Sequence, residues 1–304
     1  MREMSLFPRF VLTILLVLAL PAWGGSIAIV LSEPGGMYAE FSGTLEDALT
    51  GTNWSVSSTL QAEMLTQFPG PTDLIVTVGS EALRKTLGKG DGTPIIATLL
   101  PRQSYEKILA EYRPRPGRTT AIYLDQPAAR QAAFLNHLLP GPKRIGMLFS
   151  SETKNLADKY RTAYSNAGQK FDSEEIDSES ALLPTLNSML GHATVLVAIP
   201  DSNIYRRNNI KAILITAFRY QRPVVAYSPS FVNAGALAAL YTTPSQIARQ
   251  TADMIVSHAT SLGAPTAPSQ FAIAINGNVA QSLNLNVPDE ATIRRAMLSD
   301  KETR

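Results

Sequence analysis

From Ser26 onward the chain alternates two textures of apolar and polar positions. Short apolar runs rich in β-branched residues predict strands at Ile27–Leu31 (IAIVL), Trp54–Leu60, Asp73–Val78 (DLIVTV), Pro94–Thr98 (PIIAT) and Thr120–Leu124. Between them, near Tyr38–Leu49, Glu81–Leu87 and Ser104–Tyr112, the apolar positions take helical spacing. Strand and helix in strict alternation is the pattern of a parallel sheet covered by helices on both faces.

The same rhythm restarts after Asp125-Gln126-Pro127. Pro127–Leu139 reads as a helix with proline in its first turn. Arg144–Phe149 (RIGMLF) follows as a strand, then a long helix to Ala167, a weak strand at Phe171–Ile176 and a helix at Ala181–Leu190. A strand at Val195–Ile199, a helix over Asn208–Tyr220 and a strand at Val224–Tyr227 complete the second unit. Two comparable α/β units in tandem predict two lobes, and no low-complexity stretch separates them, so short crossings should join them. In the last third, Ala236–Thr242 and Phe271–Ile275 read as strands and Pro244–Ser257 as a helix. Leu262–Ser269 reads as a loop that carries the chain back between the lobes. The division expected is a leader at 1–24, a first lobe at 25–123 with about 243–262, and a second at 124–242 with about 268–304.

The first residues carry a different message. Arg2 and Arg9 precede an apolar run, Val11–Leu20, and Ala22-Trp23-Gly24 offers small residues for cleavage after Gly24, as in a secretory signal. A membrane span is the rival reading, but spanning needs about 20 apolar residues, and Pro21 and Gly24-Gly25 interrupt the run. The 304 residues include no cysteine, which excludes disulfides, thiolate catalysis, Cys-ligated metals and a lipid-bearing cysteine anchor. A periplasmic destination fits best. Removing the leader's two arginines and one glutamate leaves 25 basic and 24 acidic groups, and no basic stripe points to nucleic acid. Arg113-Pro-Arg115-Pro-Gly-Arg118 is the densest positive cluster and reads as a solvated loop.

Parallel sheets bind ligands beyond the carboxyl ends of their strands, so the residues that follow each strand are the candidates. On the first lobe these are Ser32 in the Ser32-Glu33-Pro34-Gly35-Gly36 turn, the Gly79-Ser80 pair at a helix start, and Thr98. A Gly-Ser pair there suits a carboxylate, because hydroxyl, free amides and helix dipole all favour negative charge; capping alone is the plainer role. On the second lobe they are Ser150, Asp201 and Tyr227. Asp201 is a candidate partner for an ammonium group, with capping of the next helix, by Asp201 or Ser202, as the alternative. Tyr38, Tyr205 and Tyr227 are candidates for an aromatic wall or for ordinary packing. No G-x-S-x-G elbow, Walker loop, G-x-G-x-x-G fingerprint or H-E-x-x-H helix occurs, and Gly88-Lys-Gly90-Asp-Gly92 leads into a strand, so it reads as a turn. His137, His192 and His258 stand apart and predict no metal site. No cofactor and no catalysis are expected.

Several segments in order carry a family resemblance: Leu124-Asp-Gln-Pro127, Leu138-Leu-Pro140 with Lys143-Arg-Ile-Gly146, Ile199-Pro-Asp-Ser202, Arg222–Pro229, Ala234–Tyr241 and Thr243–Ile247. Together they resemble the bacterial ABC-transporter substrate-binding proteins of the type I periplasmic-binding-protein fold, relatives of tryptophan- and other amino-acid-binding proteins. The resemblance implies an α/β clamshell of two Rossmann-like lobes, each a parallel sheet with helices on both faces. It also implies three crossings, a small molecule bound between the lobes and an ABC permease in the inner membrane as partner. In relatives the positions matching Gly79-Ser80 and Asp201 face the cleft. The chain departs from the family where relatives carry Asp-Pro after the fourth strand, having Thr98-Leu-Leu-Pro101 instead. A monomeric importer component is thus the leading expectation. A ligand-gated sensory or interaction partner of a membrane receptor, built on the same clamshell, is the alternative.

Overall fold

A computed structural model describes residues 24–90, 92–258 and 261–300, so all of the expected leader but its last residue, Gly24, lies outside the described residues. The first sheet holds β1 (Gly25–Leu31), β2 (Trp54–Gln61), β3 (Leu74–Val78), β4 (Ile95–Leu100) and β5 (Thr119–Tyr123), in the order β2-β1-β3-β4-β5 and all parallel. Its crossovers include α1 (Gly36–Leu49), α2 (Ser80–Leu87) and α3 (Arg102–Tyr112). Strand side chains alternate between faces, and each face builds its own core. Ile27, Ile29, Leu31, Leu74, Val76 and Val78 join one cluster, while Val30 and Ile75 join the other.

The second sheet repeats this plan with β6 (Arg144–Phe149), β7 (Lys170–Glu175), β8 (Val195–Val197), β9 (Val224–Ala226), β10 (Ala238–Tyr241) and β11 (Ala272–Ile275). The order is β11-β10-β9-β8-β6-β7. Its helices are α4 (Ala128–Leu138), α5 (Lys154–Asn166), α6 (Glu179–Leu190), α7 (Arg207–Arg219), α8 (Pro229–Ala234), α9 (Pro244–His258), α10 (Gly277–Ser282) and α11 (Glu290–Ser299), of which α9 packs elsewhere. Ile145, Met147, Val195 and Val197 point to one core and Leu148 and Leu196 to the other. The sheet is mixed rather than wholly parallel, because β11 enters from a crossing and runs antiparallel to β10. The α10 and α11 helices lie beyond the elements expected from the sequence; Ile293 and Met297 of α11 complete the core beneath β11.

The chain passes between the sheets at 124–127, at 242–243 and at 264–270. After the second passage α9 packs against α1 and β4, where Ile247, Ala248, Ala252 and Ile255 join the first sheet's core. On the third, Thr266 bridges to Ile122 beside β5. One buried side chain ties the passages together. The Gln126 amide donates to the Tyr241 carbonyl (3.3 Å), the Thr242 hydroxyl and the Gln270 carbonyl (3.1 Å). Its oxygen accepts from Arg130, which also reaches the Pro268 carbonyl at 2.8 Å.

Candidate functional site

The carboxyl ends of both sheets, together with the crossings, surround a cavity of about 330 Å³. Leu124, Asp125 and Gln126 of the first crossing line it beside Tyr160 of α5, Tyr227 after β9 and Pro101 after β4. The lining is largely apolar, and Asp125 is its one ionisable carboxylate. Pro101 reaches the cavity through a distorted strand end: the β4–β5 register shifts after Ala97, and buried Leu99 takes φ +50°. A left-handed leucine costs roughly 1–2 kcal/mol, which the packing of Leu99 into the core beneath β4 offsets.

Asp125 is half-buried, and its carboxylate accepts the Arg102 N–H at 2.6 Å. Burial pushes its carboxyl up, opposed by backbone N–H donation and by the Arg102 guanidinium. That guanidinium is itself engaged by Glu106 at 2.6 Å and lies 5.7 Å from the Tyr123 ring centre. Tyr160 is buried in the wall, and burial, then Asp125, raise its phenol. The Tyr227 phenol is pushed up to about 12 by burial, with Asp201 and Asp125 adding to it. A second cavity of about 420 Å³ shares Asp125 and Gln126 with the first. Beside it Glu152, after β6, accepts from Gln103 (3.0 Å) and pairs with Lys107 (3.1 Å) of α3, joining an element of each sheet.

The residues expected at the site fall into three groups. Ser32, Gly79, Ser80 and Thr98 meet at the carboxyl edge of the first sheet, outside the 330 Å³ cavity. The Ser32 hydroxyl accepts the Ala82 N–H (3.0 Å) in the first turn of α2, and the Gly79 N–H donates to the Thr98 carbonyl (2.8 Å). Thr98 is buried, and its hydroxyl donates to the Thr77 carbonyl at 2.9 Å. Gly79 has φ +93° and ψ +169°, a region open essentially to glycine alone. A Cβ there would meet Ser32 Oγ at 2.5 Å and the Tyr38 ring at 2.9 Å. Replacing Gly79 with alanine is therefore expected to cost about 3 kcal/mol, strain and clash combined, as a matching drop in unfolding free energy in urea.

Ser150 and Asp201 form the second group, on the opposite sheet. Asp201 is 2% exposed, and its carboxylate accepts four hydrogen bonds, from Ser150 N–H (2.8 Å), the Thr153 hydroxyl (2.5 Å), Asn203 N–H (2.9 Å) and Ile204 N–H (3.1 Å). Its oxygens serve the turns they cap. Ser150 also lines a polar cavity of about 290 Å³ with Asn203 and Arg206. Tyr227 alone of the expected residues lines the cavity between the sheets, while Tyr205 is buried beside it, ring centres 6.3 Å apart. Asp125 and Tyr160 were not singled out by sequence reasoning; Asp125 lay within the Leu124–Pro127 segment, a signal of position rather than of role. His137 pairs with Asp300 and His192 with Asp172, and no metal-holding group of acidic and histidine side chains occurs among the described residues.

The sequence pattern of the family described as ABC transporter substrate binding protein matches residues 46–296. The chain belongs to that family. No curated protein matches this substrate-binding protein. Among solved structures it resembles a domain from Streptococcus pneumonia in complex with L-Trp, at 17% identity and a TM-score of 0.61, covering 90% of this chain and 98% of that one. It also resembles the ligand-free, open form of a substrate binding protein with adhesive properties from Clostridium difficile, at 16% identity and a TM-score of 0.68 (87% and 96% covered). A third match is an arabinose binding protein from Geobacillus stearothermophilus, at 13% identity and a TM-score of 0.54 (84% and 98% covered). These likenesses establish the type I periplasmic-binding-protein fold. No helix among the described residues is long and apolar enough to cross a membrane.

Proposed function

We propose that this substrate-binding protein is the solute receptor of an ABC-type importer. It is exported to the periplasm by residues 1–24, acts as a monomer, and delivers a small organic solute to an inner-membrane permease. Lobes made of 25–123 with about 243–262, and 124–242 with about 268–304, close around the solute, and no bond is made or broken. The observation that carries the reading is the cavity of about 330 Å³ between the sheets, walled by Tyr160, Tyr227 and Pro101 around one carboxylate, Asp125. Ligand cavities of this kind start at about 300 Å³ and pair apolar walls with a few placed polar groups.

The solute this lining favours has an apolar or aromatic body and an ammonium group. Asp125 takes the ammonium, in place of Asp201, whose oxygens are already bonded. An amino acid meets both demands; the Gly79-Ser80 turn at the start of α2 lies outside the cavity as it stands, so the carboxylate reaches that turn only as the lobes close. The relative solved with L-Trp supports the same class. The test is the unfolding midpoint of the protein against amino acids, amines, carboxylates and sugars, since a ligand of the native state raises it. Apolar amino acids should give the largest shift, and Asp125→Asn should weaken their binding roughly 30-fold or more, as loss of one partner of a desolvated charge pair does. Sugars alone shifting the midpoint, or Asp125→Asn binding amino acids as tightly as the parent, would remove this assignment.

A further inference from the structure

At the end of the first sheet away from the cleft, two segments meet that solute binding leaves unused. Gly88–Thr93 follows α2 and leads to β4; Tyr112–Thr119 joins α3 to β5. Gly90, Gly92 and Thr93 of the first and Tyr112–Arg115, Arg118 and Thr119 of the second wall a pocket of about 220 Å³ at the amino ends of those parallel strands. Arg113, Arg115 and Arg118 line it, all three exposed. Among the described residues none of their guanidiniums is paired with a carboxylate. The cluster that reads as a solvated loop is thus folded against the glycine-rich turn, with Gly90 and Gly92 in the wall at positive φ.

Ordinary structural work does not account for the three arginines. They are not spent on the helix ends: backbone N–H groups of Gly88, Lys89 and Gly90 already hold the last carbonyls of α2, and that of Arg113 holds Leu109 in α3. Arg113 itself sits at φ +45°, a conformation that glycine adopts without strain. The pocket wall also contains Thr86, 3% exposed, and Thr119, whose buried hydroxyls have no hydrogen-bond partner. Unpaired buried hydroxyls are uncommon in native structures and ask for a reason.

We propose that this pole of the protein binds a phosphate-bearing anion. Across 88–93 and 112–119 the sequence places Lys89 and the three arginines against Asp91 alone, a net charge of +3. One monoanionic carboxylate leaves most of that charge uncompensated, whereas a phosphate group carries up to two charges and accepts forked guanidinium bonds from several directions. A free phosphoester and a phospholipid headgroup share this chemistry.

The experiment measures binding of glycerol phosphate by calorimetry and co-flotation with vesicles of phosphatidylglycerol in phosphatidylcholine. It uses the parent protein, an Arg115→Gln/Arg118→Gln double variant, and an Arg113→Gln variant. All three positions are exposed, and an unchanged unfolding midpoint verifies that the variants fold. Saturable glycerol phosphate binding that weakens at least tenfold in the double variant, with acetate failing to compete, supports a free-anion site. Vesicle binding lost in the same variant, with no glycerol phosphate binding, supports the headgroup as the source. Binding of neither by the parent, or equal binding by parent and both variants, overturns the proposal.

Discussion

Asp201→Ala should lower the stability of the protein by about 4 kcal/mol, and its unfolding midpoint by on the order of 10 °C. The reason is what the carboxylate holds. Three of its four donors, the N–H groups of Ser150 and Ile204 and the Thr153 hydroxyl, belong to residues almost wholly buried. Each buried donor left without a partner costs about 1–3 kcal/mol. The turn after β8 and the short helical turn after β6 both depend on the same two oxygens, so losing them loosens the carboxyl ends of two adjacent interior strands of the second sheet. Asp201→Asn should recover little, because all four partners donate and an amide nitrogen would face donors instead of accepting from them. Chemical denaturation of the three proteins checks the order parent, then Asn, then Ala. A midpoint within one degree of the parent for Asp201→Ala would show that the carboxylate is free to serve a ligand.

Asp201 also marks where sequence reading ends. An aspartate after a buried strand and a proline is visible in the chain, and so is the choice between capping and binding. Which one wins depends on where Ser150 and Thr153 lie, and they are brought to it by another strand, some 50 residues away. The strands themselves were legible, because each apolar run must satisfy its own periodicity whatever it packs against. The run Pro94–Thr98 ends two residues short of the strand, since the irregular turn at Leu99 has no local signal: leucine is a poor candidate for positive φ. The direction of β11 was equally hidden. Phe271–Ile275 reads as a strand, but its antiparallel partner is chosen by the route of the crossing before it. Ser32, Gly79 and Ser80 were found together because a turn-forming stretch and a helix start both lie at strand ends, yet their distance from the cavity lined by Tyr227 is a property of lobe geometry. Asp125, by contrast, carries no such signal, because it lies within a crossing, and a crossing looks like a linker until both sheets are in place.

Gln126→Leu should be the most damaging change available at the crossings. Leucine is close to glutamine in size and keeps the site filled, so the effect isolates the polar atoms. The parent side chain is 5% exposed and joins the first crossing to Tyr241 and Thr242 on the second and to Gln270 on the third. Arg130 reinforces the tie by holding both Gln126 Oε1 and the Pro268 carbonyl. The variant strips the amide from three acceptors and takes from Arg130, 6% exposed, the Gln126 oxygen that it held. Net losses near 1 kcal/mol per neutral bond, and more for the charged one, give about 3–4 kcal/mol in total. That lowers the unfolding midpoint by about 5–10 °C. A second consequence separates this residue from an ordinary core position. The crossings are where any opening of the two sheets must bend, and hinge positions are the few residues that absorb such backbone change. With the tie removed, small-angle scattering of the unliganded protein should show a larger and broader distribution of dimensions than the parent, while a core substitution of equal cost should leave that distribution unchanged. Identical scattering from Gln126→Leu and parent would reduce Gln126 to a packing residue; a broadened profile that ligand restores to the parent's would identify it as the brace that limits how far the clamshell opens.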